Sequence, residues 1–476
     1  MKRTKIVATI GPASEKQATL EAMIRAGMNV ARLNFSHGTH SNLALLIKNI
    51  RAAAKKVGVD VGILADLQGP RIRLGELPSG GIEVLANSHV TFTTRAKPPL
   101  GTIPVTYANL HKDLKRGDRL LIADGTIEVV VDRIQAQEIT ARVLVGGLLK
   151  SHKGMNVPTA TLHIPPFTTK DKEDLKFALG KGVDFVALSF VMEAKNITDL
   201  RRVITRMARS LRKPLIATTP IIVKVEKHEA VEAIDAIVEE ADGIMVARGD
   251  LALEVNQADV PLVQRSLIEK CIQAAKPVIV ATQMLESMTE NPRPTRAEIS
   301  DVSHAVSDHT DATMLSGETA GGKFVVESVT TMASIITQTE ASKWDDVAMA
   351  DEKSIPNTQR SWMGAVARLL SDESKPKCIV VASASGKSAQ HVASFRPELP
   401  IIAAVPDRAI AQRLTMVWGV TSLVFSKMNN LQAFILRVEK ELKARKIIHN
   451  GDSYIVIASD PLKIDVLPNV IELRTA

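Results

Sequence analysis

IIVKVE at Ile221–Glu226 and GIMVARGD at Gly243–Asp250 carry the reading of this chain. Each is a run of β-branched and aliphatic residues that ends abruptly in charge. The first delivers Lys224 and Glu226, the second Arg248, Gly249 and Asp250. A parallel strand buried on both faces reads as a near-continuous apolar run, and packing gives no reason for charge at its C-terminal end. Two carboxylates on neighbouring strand ends make an oxygen-rich site suited to Mg²⁺, and a lysine beside them aims a cation at an anionic substrate. Such a set of groups points to phosphoryl or enolate chemistry.

Outward from these two stretches the same pattern repeats. Strand-like runs at Lys5–Ile10, Met28–Leu33, Val61–Asp66, Val183–Leu188, Ile221–Val225, Gly243–Val246, Pro277–Ala281 and Ala312–Leu315 alternate with helical segments. Eight βα repeats of this kind predict a closed (β/α)8 TIM barrel in an α/β protein. The first helix reads as opened by a capping box, Ser14-x-x-Gln17, and stopped at Gly27. A second runs over about 42–57.

The rhythm breaks between Pro70 and Leu162. Short β-like runs at Ile82–Leu85, His89–Thr94, Arg119–Ile122, Ile127–Val131 and Glu138–Val145 are separated there by Gly, Pro and Asp turns. The expectation is an all-β lid domain of β-barrel type, inserted over 70–162 and splitting the barrel into 1–69 and 163–343. Insertion in a surface loop costs little, because closure entropy grows slowly with length. Trp344–Gln359 is polar and periodless and reads as a linker. It opens a C-terminal α/β domain over 344–476, with strands near Cys378–Ala382, Ile401–Val405, Ser422–Phe425, Tyr454–Ala458 and Val470–Leu473.

Bulk composition narrows the function classes. At 476 residues the chain exceeds one ordinary core. A hydrophobic content of 45% with 24% charged residues excludes the disordered class. No apolar run reaches membrane-span length, so no membrane partner and a cytoplasmic location are expected. Cys271 and Cys378 lie far apart, which excludes a disulfide framework and a thiolate zinc site. The net charge of +8 would suit nucleic acid or a small anion. Aromatics at 3% are too few for base-stacking platforms, and the basic residues are scattered, which favours the small anion.

In a (β/α)8 barrel the active site forms at the C-terminal strand ends. Taken in order, these ends offer Arg32, Asn34, Asp66, Ser189, Lys224, Glu226, Gly249, Asp250, Thr282 and Ser316. The segment Ala247–Leu251 reads as a strand-to-helix turn, where glycine permits close approach and free amides bind anions. Two other matches fail. Gly317-x-x-x-x-Gly322-Lys323 resembles a P-loop but continues with Phe324, where a hydroxyl should hold Mg²⁺. His228-Glu229 opens like a zinc helix, yet position 232 is Glu.

Longer motifs surround these residues: TKIVATIGPAS at the start, RLNFSHG at Arg32–Gly38, GPRIR at Gly69–Arg73 and VARGDL at Val246–Leu251. ATQMLESM at Ala281–Met288, NPRPTRAE at Asn291–Glu298 and MLSGETA at Met314–Ala320 follow. In this order they closely resemble the pyruvate kinase family, whose architecture is a barrel with an inserted β lid and a C-terminal α/β domain. The resemblance implies phosphoryl transfer from phosphoenolpyruvate to ADP, the last step of glycolysis. It implies that Glu226 and Asp250 hold Mg²⁺, with Mn²⁺ as a substitute, and that Lys224 and Arg32 grip the phosphoryl group. Gly249, the Asp250 amide, Thr282 and Ser189 would bind substrate, and Thr282, Ser316 or water would protonate the enolate. Arg73, Lys153, Asn34 and His37 would contact the nucleotide.

The family's potassium site maps onto Asn34, Ser36, Asp66 and Leu67. Potassium-dependent members have Thr at position 67 and Glu at position 71; here these are Leu67 and Arg71. A guanidinium at Arg71 would supply the charge internally, so K⁺ is not expected to be required. The hydroxyl-rich turn Ser383, Ser385, Gly386, Lys387 and Ser388 reads as a phosphate cradle. In the family it receives a sugar phosphate. The loop Ser459–Pro468 looks short for a bisphosphate, which widens the candidates to a sugar monophosphate or a nucleotide. A homotetramer is also implied. A different Mg²⁺ barrel acting on pyruvate enolates would share Glu226 and Asp250, but would have no use for the lid with Arg73 and Lys153.

Overall fold

Strand formation begins where the β-branched runs begin. β1 (Lys5–Thr9), β2 (Val30–Asn34) and β3 (Gly62–Asp66) open the chain. The inserted segment holds β4 (Ile82–Val84), β5 (His89–Thr93), β6 (Ile103–Pro104) and β7 (Arg119–Ile122). It continues through β8 (Ile127–Gln135), β9 (Glu138–Val145), β10 (Gly147–Leu149) and β11 (Met155–Asn156). Next come β12 (Phe185–Leu188), β13 (Ile221–Val225), β14 (Gly243–Ala247), β15 (Val278–Ala281) and β16 (Ala312–Leu315). The last five are β17 (Ile379–Ala382), β18 (Ile401–Val405), β19 (Val420–Val424), β20 (Ser453–Ala458) and β21 (Val470–Thr475). This computed structural model describes residues 2–165, 167–345, 358–425, 431–458 and 469–476. The linker read at Trp344–Gln359 lies mostly, and the loop Ser459–Pro468 wholly, outside the described residues.

The predicted closed barrel is present, in the order β1-β16-β15-β14-β13-β12-β3-β2, with its neighbouring pairs parallel. Alternation along each strand explains both its core and its mouth. Val7, Val30, Leu64, Phe185, Ile222, Met245, Ile279 and Ala312 fill the barrel interior as one buried cluster. Met416, from the C-terminal α/β unit, joins the same cluster. Residues two and four further along point to the same side. By that parity Thr9, Arg32, Asn34, Asp66, Lys224 and Glu226 stand at the barrel mouth, above the apolar filling. The opposite faces of the strands pack on the surrounding helices in a second, larger cluster.

The inserted strands lie in a six-stranded sheet, β11-β7-β8-β9-β5-β6, and a two-stranded ribbon, β10-β4. The segment Arg73–Leu74 links the two edges of this sheet: Arg73 bridges Gly154 beside β11, and Leu74 bridges Val105 beside β6. One short helix, Leu110–Asp113, interrupts it. The C-terminal sheet runs β19-β18-β17-β20-β21, with β21 antiparallel at the edge.

One capping assignment is corrected. The helix Gln17–Ala26 starts at Lys16 without a side-chain cap. Ser14 Oγ instead accepts the Gly11 amide at 3.1 Å, because it belongs to the turn after β1. Gly27 does end the helix, with φ 122°. Among the described residues no helix is long and apolar enough to cross a membrane.

Candidate active site

The centre of the barrel mouth is a charge cluster built from β2, β3 and β13. Lys224 Nζ lies 2.6 Å from Glu226 Oε1 and 3.5 Å from Asp66 Oδ1. It also donates to Ser189 Oγ at 2.9 Å, and Ser189 in turn donates to the Leu67 carbonyl at 2.8 Å. Arg32 reaches Asp66 Oδ2 through Nε at 2.7 Å and Nη2 at 2.6 Å. Its Nη1 donates to Thr9 Oγ1 at 2.9 Å. Glu226 is 1% exposed, and its second oxygen accepts the Phe190 amide at 2.8 Å.

The charges set one another's states. Burial alone would lower the Lys224 ammonium, but Asp66 and Glu226 outweigh it and hold it above the usual lysine range. Burial would raise Asp66, yet Lys224 and Arg32 outweigh it and keep this carboxyl below its ordinary value. Glu226 is raised by burial; Lys224 pulls it down, and the Asp250 carboxylate pushes it up again. Glu226 and Asp250 are thus close enough to repel. A hard divalent cation relieves such repulsion, and two carboxylates are the oxygen donors Mg²⁺ takes. These residues fit the ion. Ser316 Oγ is buried with no hydrogen-bond partner, leaving polar capacity for a ligand at the mouth.

Another side of the mouth is formed by the ends of β14 and β15. The predicted strand-to-helix turn is present as a short helix over Arg248–Leu251. The Gly249 amide donates to Thr282 Oγ1 at 2.8 Å, and that hydroxyl donates to the Ala281 carbonyl at 2.6 Å. Thr282 has φ 69° and Gln283 φ 53°, the left-handed region that non-glycine residues avoid. Ser316 is fixed through its backbone, whose amide donates to Glu318 Oε2 at 2.7 Å.

Other predicted residues lie around this centre. Arg71 pairs with Asp250 at 3.7 Å and with Asp124 of the inserted segment at 3.4 Å. Its charge is therefore delivered toward Asp250, while Asp66 is occupied by Arg32 and Lys224. Asn34 Oδ1 accepts the Ser36 amide at 3.0 Å, and Leu67 is buried. His37 is exposed at the start of the loop after β2. Arg73 donates to the His152 carbonyl at 3.0 Å, which sets it beside exposed Lys153. In the C-terminal unit, Gly386 has φ 86° and opens the helix Lys387–Ser394. Ser385 and Lys387 are exposed and Ser388 half-buried, but Ser383 is buried, its Oγ accepting the Ala389 amide at 3.4 Å. Ser383 thus caps that helix from within.

Sequence reasoning missed Thr9, the Phe190 amide and the reach of the Arg248 side chain. Thr9 had a signal: it ends β1, the one barrel strand from which no mouth residue was drawn. The other two depend on loop conformation. His228, Glu229 and Glu254 also gather nearby, with ligand atoms within 4.8 Å of one another. Lys227 Nζ, 2.7 Å from Glu254 Oε2, already supplies that cluster's cation.

A parallel eight-stranded barrel with an acidic and ammonium centre at its C-terminal mouth defines the chain as a barrel enzyme handling an anionic substrate. Comparison with known proteins makes this specific. The family model described as "Pyruvate kinase, barrel domain" matches residues 1–329, and "Pyruvate kinase, alpha/beta domain" matches residues 363–472. The pyruvate kinase of Geobacillus stearothermophilus is 42% identical over 468 residues, 97% of this chain and 78% of the relative. That of Mycobacterium tuberculosis strain H37Rv is 39% identical over 461 residues, covering 97% of this chain and 95% of the relative. A crystal structure of a pyruvate kinase from Cryptosporidium parvum superposes with a TM-score of 0.94 at 34% identity, covering 100% of this chain and 96% of that one. The chain belongs to the pyruvate kinase family, a family of phosphotransferases.

Proposed function

We propose that this chain transfers the phosphoryl group of phosphoenolpyruvate to ADP, giving pyruvate and ATP. The observation that carries the reading is the Lys224 ammonium, 2.6 Å from Glu226 and beside the Arg32–Asp66 pair in the barrel mouth. Two fixed cations there face the place where charge on a transferring phosphoryl group must be neutralised, and positioned electrostatics is the main catalytic resource of such reactions. Lys224 and Arg32 hold the phosphoryl group in flight. The Gly249 and Asp250 amides with the Thr282 hydroxyl hold the substrate carboxylate. Ser189 keeps Lys224 oriented from the apolar side.

Glu226 and Asp250 would hold Mg²⁺ or Mn²⁺, which would supply Lewis-acid neutralisation of the substrate's negative charge. Arg73 and Lys153, with Asn34 and His37, bind the nucleotide phosphates. Thr282, Ser316 or an ordered water delivers the proton that turns the enolate into pyruvate. The inserted domain over 70–162 excludes water from the barrel domain (1–69 and 163–343), so the phosphoryl group passes to ADP.

Arg71 supports a potassium-independent reaction, because it places a permanent cation beside Asp250. Ser385, Gly386, Lys387 and Ser388 receive a phosphorylated effector in the C-terminal domain (344–476), and a homotetramer transmits its binding. The test is a coupled assay for ADP-dependent pyruvate formation with and without Mg²⁺. Pyruvate formed at the same rate without ADP would sink the reading.

A further inference from the structure

Arg248 directly follows β14 and spends its guanidinium on the neighbouring strand end. Nη2 donates to the Thr282 carbonyl at 2.6 Å, to Met284 Sδ at 2.9 Å and to the Gln283 carbonyl at 3.4 Å. Nε reaches the Ala281 carbonyl at 3.4 Å. Nη1 is anchored by Asp301 Oδ1 at 2.7 Å and Gln264 Oε1 at 3.5 Å. Every nitrogen of the fork is engaged inside the protein, and the side chain is 11% exposed. It has no donor left over for a substrate.

The carbonyls it collects belong to the turn where Thr282 and Gln283 both adopt left-handed φ. Strained backbone of this kind persists only where its surroundings over-determine it. The strain has a local purpose. In this conformation the Thr282 hydroxyl meets the Gly249 amide at 2.8 Å, on the side of the mouth where the substrate carboxylate binds. A planar, permanently charged fork suits the task, because it can hold successive carbonyls and a carboxylate at once; an ammonium cannot.

We propose that Arg248 is a positioning residue for phosphoenolpyruvate: clamped by Asp301, it holds Thr282 and Gln283 left-handed and so fixes the Thr282 hydroxyl against the Gly249 amide, where the substrate carboxylate takes over these two donors from their internal partners on binding. This rests on the phosphoenolpyruvate reading above. Arg248→Met should lower kcat/KM for phosphoenolpyruvate about 10²-fold, the scale of a 1 Å misplacement, while KM for ADP stays within about twofold. Arg248→Lys should lie between the two. Glycine adopts positive φ without penalty. Gln283→Gly should therefore recover a good part of the loss in the Arg248→Met background, and change the wild-type rate less than about twofold. Steady-state kinetics on the full chain, with circular dichroism of each variant, decide it. If Arg248→Met fails to fold, Arg248→Lys with and without Gln283→Gly provides the same comparison. Unchanged phosphoenolpyruvate kinetics in the Arg248 variants, equal losses toward both substrates, or no recovery by Gln283→Gly would overturn the proposal. A wild-type chain without ADP-dependent pyruvate formation would instead overturn the functional reading and this inference with it.

Discussion

Lys224 is the residue on which the proposed chemistry turns. Its ammonium is kept charged by Asp66 and Glu226, which fits the proposed role of a fixed cation and not of an acid. Lys224→Met keeps much of the volume and removes the charge. The loss should appear in kcat, by about 10² to 10³, with little change in KM for ADP, as measured in the coupled assay. A near-wild-type kcat would remove Lys224 from the mechanism. Arg71 yields a second test at this scale. Replacing K⁺ by Na⁺ or Tris in the assay should leave kcat within about twofold, because the guanidinium at 3.7 Å from Asp250 cannot lose its charge. A large loss of activity in Na⁺ would show that a monovalent ion is needed after all. These residues were legible in the sequence because charge at the end of an apolar strand has no packing explanation. Thr9 and Phe190 were not. A threonine at a strand end is ordinary, and Phe190 contributes a backbone amide presented by a φ of 55° that no side chain announces.

Elements hold these residues through their ends. The helix Thr169–Lys181 carries a capping box in which Asp171 Oδ2 accepts the Thr168 amide at 2.8 Å and the Thr168 hydroxyl at 2.6 Å. Its other oxygen accepts the Gly69 amide at 3.1 Å, where the chain leaves β3 for the inserted sheet. Gly69 has φ 68°, and a Cβ there would meet Phe190 at 2.9 Å and Ser189 at 3.0 Å. The helix start thus pins the root of the insertion against the strand that bears Ser189. Asp171→Ala removes the reciprocal half of the capping box and strands the buried Gly69 amide, which should cost about 2 kcal/mol or more and lower the thermal midpoint by roughly 3–6 °C. Asp171→Asn, which keeps an acceptor oxygen, should lose less. Equal midpoints for wild type and Asp171→Ala by calorimetry would refute this link. Many strands were readable from composition to within a residue or two, as for Ala312–Leu315 and Glu138–Val145, but Ile127–Val131 runs on to Gln135, and the short β6, β10 and β11 were missed. Caps were less so. Ser14 has the right spacing for a capping box, but the turn after β1 takes its hydroxyl first.

At the scale of the molecule, the barrel floor and the C-terminal unit share a buried ionic seam. Lys5 Nζ donates to the Val420 carbonyl at 2.7 Å, Arg396 pairs with Asp311 at 2.9 Å, and Trp418 donates its amide to Asp311 at 3.0 Å. Burial lowers Lys5 to about 8 and Lys2 to about 7. The unfolded chain then binds more protons than the folded one between these values and 10.5, so this contribution to stability grows as pH rises through the window. Below pH 8 the full penalty applies, on the order of 3 kcal/mol for Lys5. Lys5→Met should flatten the rise of thermal midpoint between pH 8 and 9. Above that range the raised thiol of Cys378, at about 12, opposes the trend, since the folded state then holds the extra proton. An identical pH slope for wild type and Lys5→Met would exclude Lys5 as its source. The sequence alone determined the barrel, the insertion and most of the mouth, because strand periodicity and strand-end charge are local properties that survive without the fold. Tertiary structure alone decided that Arg71 faces Asp250, that Arg73 and Leu74 bridge the two edges of the inserted sheet, and that Arg248 grips the next strand's turn. Those are contacts between segments far apart in the chain, and their directions depend on packing and loop conformation, which no local pattern encodes.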